Sequence, residues 1–539
     1  MKTDRIILYL LIISTAIICS YLFLTYQVVP VNRDAGYYIP VAKAVMNGST
    51  PTVEVDTMYT PFLYYAYSIW MSMFGTDIVT LFLLLYLVNV LNGILFYAIV
   101  RRFIDSNIVC FVLAVSYYFT TMICQGYTIV LEPFQVAFIL LAFIFYLFGI
   151  KPALKFPLVG LSLGVSIMFK QYSVLVMTGF LLSIVIDFLR TKRSVTSYKE
   201  MFFALFSVII ACTIPFCLFV VFTDAEMKTA LNSFGFLGSR AVSYSIAESI
   251  TPGERLLNVI IKVMHLNWLF IPPLLYVFSL IFKKGLSISI DSKTEVMPIF
   301  LFSAFPIFIR QFGHYFLPIA PWSYIIAAIL LNTLIRESFV HEKHGSYLLR
   351  VVSLCIFLLF PLFVLISPSF YDISKSHQAI FVASFILSVM LVLSIWMFVC
   401  KLSMNPKAYI LIILITLGAE SMFLAVKMPF SELREVKERQ LLEAHQVSMV
   451  LRKGSEVFVV DYPELYVLCN YSNPANFYGF INPRNIDKRM NSIDFDKISH
   501  VIVKKQNPVT SSGFFEDKGF RRGQDISGTD LSFFTRSAH

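Results

Sequence analysis

The sequence predicts a polytopic α-helical membrane protein that ends in a small α/β unit, and three observations predict it. Of its 539 residues, 58% are hydrophobic and 14% charged, against roughly 45–50% and about 25% in soluble domains. Apolar runs of about 20 residues, the length of a bilayer-spanning helix, recur up to residue 427. From 428 onward they give way to a charged helical stretch and short β-like runs. A mean hydropathy of +0.75 excludes a cytosolic enzyme, a disulfide scaffold and a disordered chain.

The spans read in order are 6–25, 77–100, 107–123, 133–149, 157–169, 172–189, 201–223, 266–282, 297–309, 316–335, 349–367, 379–400 and 408–426, about thirteen in all. The first follows Lys2 and Arg5, lacks a small-x-small cleavage site, and has Ile18 before Cys19. It therefore reads as an uncleaved signal anchor. With the N-terminus inside, seven short inner segments hold 18 of the 28 basic residues of 1–427, among them Arg101, Arg102, Lys151, Lys155, Lys283 and Lys284. The positive-inside rule selects this orientation, and an odd number of spans places the tail outside. The location expected is the cytoplasmic membrane, with a cytoplasmic N-terminus and an extracytoplasmic C-terminal unit.

Two outer loops are long, 26–76 and 224–265. In the first, Tyr37, Tyr38, Val41, Ala44 and Val45 recur at helical spacing before Gly48, and Thr60 to Phe74 is aromatic-rich and too short to span. Both predict helices lying in the membrane interface, where Tyr and Trp are favoured. The tail predicts a helix over 431–453 and strands at Glu456–Val460 and His500–Val503, separated by Asn-Pro turns. The division is a transmembrane domain, 1–427, and an extracytoplasmic α/β domain, 428–539.

The net charge of +10 does not point to nucleic acid. Residues 428–539 carry 15 Lys+Arg against 14 Asp+Glu, and residues 1–427 carry 28 against 19, so the excess lies between hydrophobic segments. Seven of the eight cysteines fall in or beside apolar runs, where a thiol acts as a small hydrophobe. No zinc-finger spacing occurs.

Ionisable groups near a bilayer are costly and mark function. The outer helix ends hold Asp34, Asp56, Glu132, Lys170, Arg310 and His314. Carboxylates and cations on one face suit chemistry on a lipid-borne anion. Plainer readings stand beside this one: Lys170 snorkels, Arg310 is a topological flank, His314 an interfacial histidine, and Asp56 a helix cap.

The first outer loop, Asn32-Arg33-Asp34-Ala35-Gly36-Tyr37-Tyr38 with Asn47-Gly48, resembles the GT-C superfamily of polyprenyl-phosphate-sugar glycosyltransferases. So do Asp56 through Tyr59-Thr60-Pro61 to Phe74-Gly75, Glu132 heading a helix, Gly160 to Gly164 leading to Phe169-Lys170, and His314-Tyr315-Phe316-Leu317-Pro318. In pattern the chain is similar to protein O-mannosyltransferases and to the transferase that adds aminoarabinose to lipid A. Val457 to Leu468 is similar to the outer domain of bacterial members. Many relatives have Asp-Glu where this chain has Asp34-Ala35, which leaves Asp34 as the sole acid there.

The resemblance implies transfer of a sugar from a polyprenyl-phosphate donor to a cell-envelope acceptor, lipid, glycan or protein. Asp34 is then the general base, Asp56 or Glu132 positions acceptor or sugar, and Lys170, Arg310, His314 and Tyr315 hold the donor phosphate. A divalent metal stays open, because members of the superfamily differ on it. Two other readings remain: a flippase for lipid-linked glycans, which predicts repeats and midplane charges, and a glycan polymerase or ligase, which puts catalytic weight on a later loop such as 224–265.

Overall fold

The computed structural model describes residues 29–51, 54–55, 60–104, 107–191, 195–223, 253, 269–270, 272–274, 276–277, 296–309, 313–337, 430–452, 455–460, 462–471, 493, 495–505, 514–523, 525–527 and 529–536. The expected spans at 6–25, 349–367, 379–400 and 408–426, most of 266–282 and nearly all of the 224–265 loop lie outside these residues.

Two short helices come first, α1 (Arg33–Met46) and α2 (Phe62–Phe74), where the aromatic patterning of the first loop places them. Gly48 beyond α1 and Gly75 at the end of α2 take φ of 99° and 87°, a conformation a Cβ disfavours. A bundle follows: α3 (Ile78–Val100), α4 (Asn107–Ile123), α5 (Glu132–Leu147), α6 (Pro152–Phe169), α7 (Ser173–Thr191), α8 (Val195–Thr223), α9 (Val296–Ile309) and α10 (Ala320–Glu337). Among the described residues, four helices are long and apolar enough to cross a membrane: α3, α6, and the Ser173–Arg190 and Tyr198–Thr223 portions of α7 and α8. The sequence starts α6 at Pro157, but the helix begins at Pro152. A proline in the first turn lacks an N–H that has no partner there anyway, and Pro157, one turn further in, forfeits a single hydrogen bond.

Glycine lets α6 lie directly on α8. A Cβ at Gly160 would stand 2.3 Å from the Val208 carbonyl oxygen, and one at Gly164 2.3 Å from that of Cys212. Small residues four apart, seated on a neighbour's backbone, are how helices approach closely where apolar burial alone gives no preference. At one end of the bundle the basic turns meet: Arg102, after α3, lies 5.0 Å over the Phe148 ring and donates to the Leu147 carbonyl, both after or within the last turn of α5. The turns leading into α5, α7 and α10 lie at the other end of their helices.

The C-terminal part opens with α11 (Phe430–Val450). It continues with β1 (Phe458–Val460), the short helix α12 (Glu464–Leu468), β2 (His500–Lys504), α13 (Phe514–Asp517), β3 (Phe520–Arg522) and β4 (Leu531–Arg536). The sheet has the order β1-β2-β4-β3, with β1 parallel to β2 and the other pairs antiparallel. The sequence locates β1 and β2 and misses β3 and β4. Leu531 to Phe534 are all buried, because the sheet is covered on both faces, so β4 lacks the alternation that marks a half-buried strand. One face, with Phe458, Val460, Val501, Val503 and Phe534, packs on Phe495 and Phe515. The other, with Val459, Ile502 and Phe533, joins a core shared with Ala35, Tyr38 and Ile39 of α1 and with Ile129, Leu131 and Phe134. The composition break at 428 is thus not a break in packing.

At the last turn of α1, Lys43 Nζ donates to Asn470 Oδ1 across this contact. Burial pushes the Lys43 ammonium down to about 8. Below that pH folded and unfolded chains both hold the proton. Between about 8 and the ordinary 10.5 only the unfolded chain does, so this group makes stability rise with pH in that window. Thermal midpoints taken from pH 7.5 to 10 should therefore climb less in Lys43→Met than in the wild type. Gly164→Val should cost about 1–3 kcal/mol by forcing α6 off α8, seen as a lower thermal midpoint in detergent.

Candidate functional site

Three helix ends meet at the pole opposite the Arg102 turn. Glu132 opens α5, followed by Pro133, and a carboxylate in a first helical turn is favoured by the helix dipole. Lys170 leaves the end of α6 in extended conformation, and the turn Gln171-Tyr172 leads into α7. His314 and Tyr315 lie in a 3₁₀ turn between α9 and α10.

The side chains converge. Lys170 Nζ donates to Glu132 Oε1, with both residues buried. His314 Nε2 stands 3.7 Å from the same oxygen. The Lys170 ammonium lies 4.0 Å from the centre of the Tyr315 ring, within cation–π range, and the Tyr172 ring packs 5.8 Å from that of Tyr315. Glu132 Oε2 is buried and has no hydrogen-bond partner among the described residues. A buried carboxylate oxygen with no partner is a costly feature that calls for an explanation.

The surroundings hold the pair in place. Phe169 stacks between Phe134 at 5.4 Å and Phe138 at 5.6 Å, and Phe62 of α2 meets it edge-on. Thr60 Oγ1 donates to the Phe169 carbonyl at 2.6 Å, tying the first loop to the Lys170 turn. Beneath, Gln135 Nε2 donates to Ser173 Oγ at 2.8 Å, Ser166 Oγ donates to the Gln135 carbonyl at 3.0 Å, and the two serines share a hydrogen bond of 2.7 Å. These bonds pin α6 and α7 to α5 on either side of Lys170.

Asp34 sits half-buried in the first turn of α1. Asn32, at the helix N-cap, does not cap: its Nδ2 donates to the Ile129 carbonyl at 3.1 Å, three residues before Glu132. The segments bearing the two acids are thereby joined. Asp56 and Arg310 lie outside the described residues. Glu132 and Lys170, read from the sequence as separate contacts to acceptor and donor, form one ion pair and act as one unit.

Sequence reasoning missed Gln125. It adopts φ 63°, uncommon for a residue with a Cβ, and its Oε1 lies 3.3 Å from His314 Nδ1. The one signal available was the Gln125-Gly126 turn: a Cβ at Gly126 would stand 2.6 Å from the Thr121 carbonyl oxygen. Among the described residues no group of three or more His, Cys, Asp and Glu is arranged to hold a metal ion. Chemically, the site offers an ammonium with three N–H donors, one of them directed to Glu132, beside an imidazole, a carboxylate oxygen and two aromatic walls.

No protein-family profile and no curated protein matches the chain. Its fold does match solved structures. ArnT from Cupriavidus metallidurans bound to undecaprenyl phosphate superposes with a TM-score of 0.56 at 11% identity, covering 98% of each chain. The same protein in the apo state gives 0.54 with equal coverage. The oligosaccharyltransferase of Archaeoglobus fulgidus in its apo form gives 0.43 at 12% identity, over 98% of this chain and 74% of that one.

Removing one member of a buried ion pair leaves a charge without compensation, at about 3–5 kcal/mol, whereas apolar replacement of both is far milder. Glu132→Leu and Lys170→Met should each lower the thermal midpoint, and the double variant should recover most of the loss.

Proposed function

We propose that this protein, whose fold is shared with a structure of ArnT that holds a polyprenyl phosphate, transfers a sugar from a polyprenyl-phosphate donor to a cell-envelope acceptor. The observation that carries the reading is the cluster at one pole of the bundle in which buried Glu132, Lys170 and Tyr315 meet the part-exposed His314. The reaction takes place at the outer face of the cytoplasmic membrane. About thirteen spans put the N-terminus in the cytoplasm and residues 428–539 outside, as an α/β domain over that pole.

The chemistry follows from the donor. A phosphate leaving group is a weak base and needs no proton, but negative charge builds on it as the glycosidic bond breaks. Fixed cations placed where that charge develops lower the barrier. Lys170 and His314 supply them with Arg310, whose planar fork suits bidentate phosphate contact. Tyr315 forms a wall of the phosphate pocket. Glu132, held by Lys170, presents its second oxygen to a sugar or acceptor hydroxyl, and Asp56 shares that task.

Asp34 takes the proton of the acceptor as its oxygen or nitrogen attacks the anomeric carbon. A single displacement with one base inverts that carbon. The lipid tail runs between helices, so donor and enzyme share the bilayer. A divalent metal is compatible with this scheme, and no step depends on it. The flippase reading is disfavoured because such proteins show paired repeats and this sequence has no obvious one.

Asp34→Asn keeps size and removes the base. With undecaprenyl-phosphate sugars as donors, transfer should fall by ~10²–10⁴, while donor binding changes little. Near-wild-type transfer at matched protein amounts would move the base to Asp56 or Glu132.

A further inference from the structure

Val31, three residues before Asp34, is buried, and both of its backbone polar groups bond to one side chain of α11. The Val31 N–H donates to Gln440 Oε1 at 3.0 Å, and Gln440 Nε2 donates to the Val31 carbonyl at 2.9 Å. The amide thus replaces the missing neighbour of an extended segment, from a position 409 residues away. Gln440 is itself buried, on a helix whose other residues are mostly exposed. Without it, two backbone groups would be left with no partner and no water, and the chain would turn to satisfy them.

The same C-terminal part touches α1 at two further points. A Cβ at Gly36 would stand 2.5 Å from the Pro463 carbonyl carbon and 2.7 Å from the Glu464 nitrogen, so α12 lies against the α1 backbone two residues beyond Asp34. At the far end Lys43 bonds Asn470. On its other side the segment is fixed by Asn32 to Ile129.

We infer that Gln440 is a positioning residue for the transfer: through its paired bonds to Val31 it sets the place of Asp34 relative to the Glu132–Lys170 pair. This makes the C-terminal part a component of the reacting pole. The inference rests on the reading of Asp34 as the base.

The test uses the full chain in lipid nanodiscs. Gln440→Met fills the same volume without polar atoms, and Gly36→Ala disturbs the second contact independently. Hydrogen exchange of residues 29–36 should quicken in Gln440→Met. With radiolabelled undecaprenyl-phosphate sugars, kcat should fall ~10- to 100-fold, the scale of a misplacement near 1 Å, with KM for the donor within about twofold. Neither change should reduce transfer further in an Asp34→Asn background. Gly36→Ala should behave alike. Unchanged exchange at 29–36, or losses that multiply with Asp34→Asn, would overturn the inference while leaving Asp34 as base. Full transfer by Asp34→Asn alone would instead remove the base reading, and this inference with it.

Discussion

The Glu132 carboxylate and the Lys170 ammonium leave water together, as a directly bonded pair. Both are buried, at the ends of different helices, and neither has enough solvent to stand alone. Their pairing constrains everything near it. The α5 N-terminus and the α6–α7 turn must lie within one hydrogen bond of each other, and the serine–glutamine bonds beneath keep them there. The stacked Phe134, Phe169 and Phe138 rings fill the space beside the pair, and Thr60 fastens the first loop over it.

A second constraint comes from backbone groups that lack secondary-structure partners. The segment leading into α1 is neither strand nor helix, yet Val29 and Val31 in it are buried. Gln440 takes the Val31 N–H and carbonyl, and the Asn32 side chain ties the segment to the Ile129 carbonyl on the other side. The segment that delivers Asp34 is therefore held between the turn before α5 and the helix α11. The mixed core running from Ala35 and Tyr38 through Ile129 to Val459 and Ile502 is the apolar counterpart of those bonds.

Much of this was legible along the chain. The helices over 78–100, 107–123 and 173–191 lie within a residue or two of their apolar runs, and α1, α2, α11, β1 and β2 occupy the segments that patterning assigns them. Glu132, Lys170, His314 and Tyr315 were legible too, because ionisable and aromatic residues at the ends of apolar runs stand out in one dimension. Gln125 and Gln440 were not. An amide carries no charge signal, and in the charged helix α11 the buried face with Gln440, Ala444 and Val447 is narrow. β3 and β4 were missed because a short or fully covered strand has no alternation to read.

What the sequence determined by itself is which segments leave water and which side chains sit at their ends. Burial leaves a local periodic trace that needs no partner to be read. What only the tertiary structure decided is which of those ends touch. Glu132 and Lys170 are 38 residues apart, and Val31 and Gln440 are 409 apart. Their bonds depend on how closely helices approach, through Gly160 and Gly164 against α8 and Gly36 against α12. A hydrogen bond is made or lost over a few tenths of an ångström, and periodicity carries no distance of that kind.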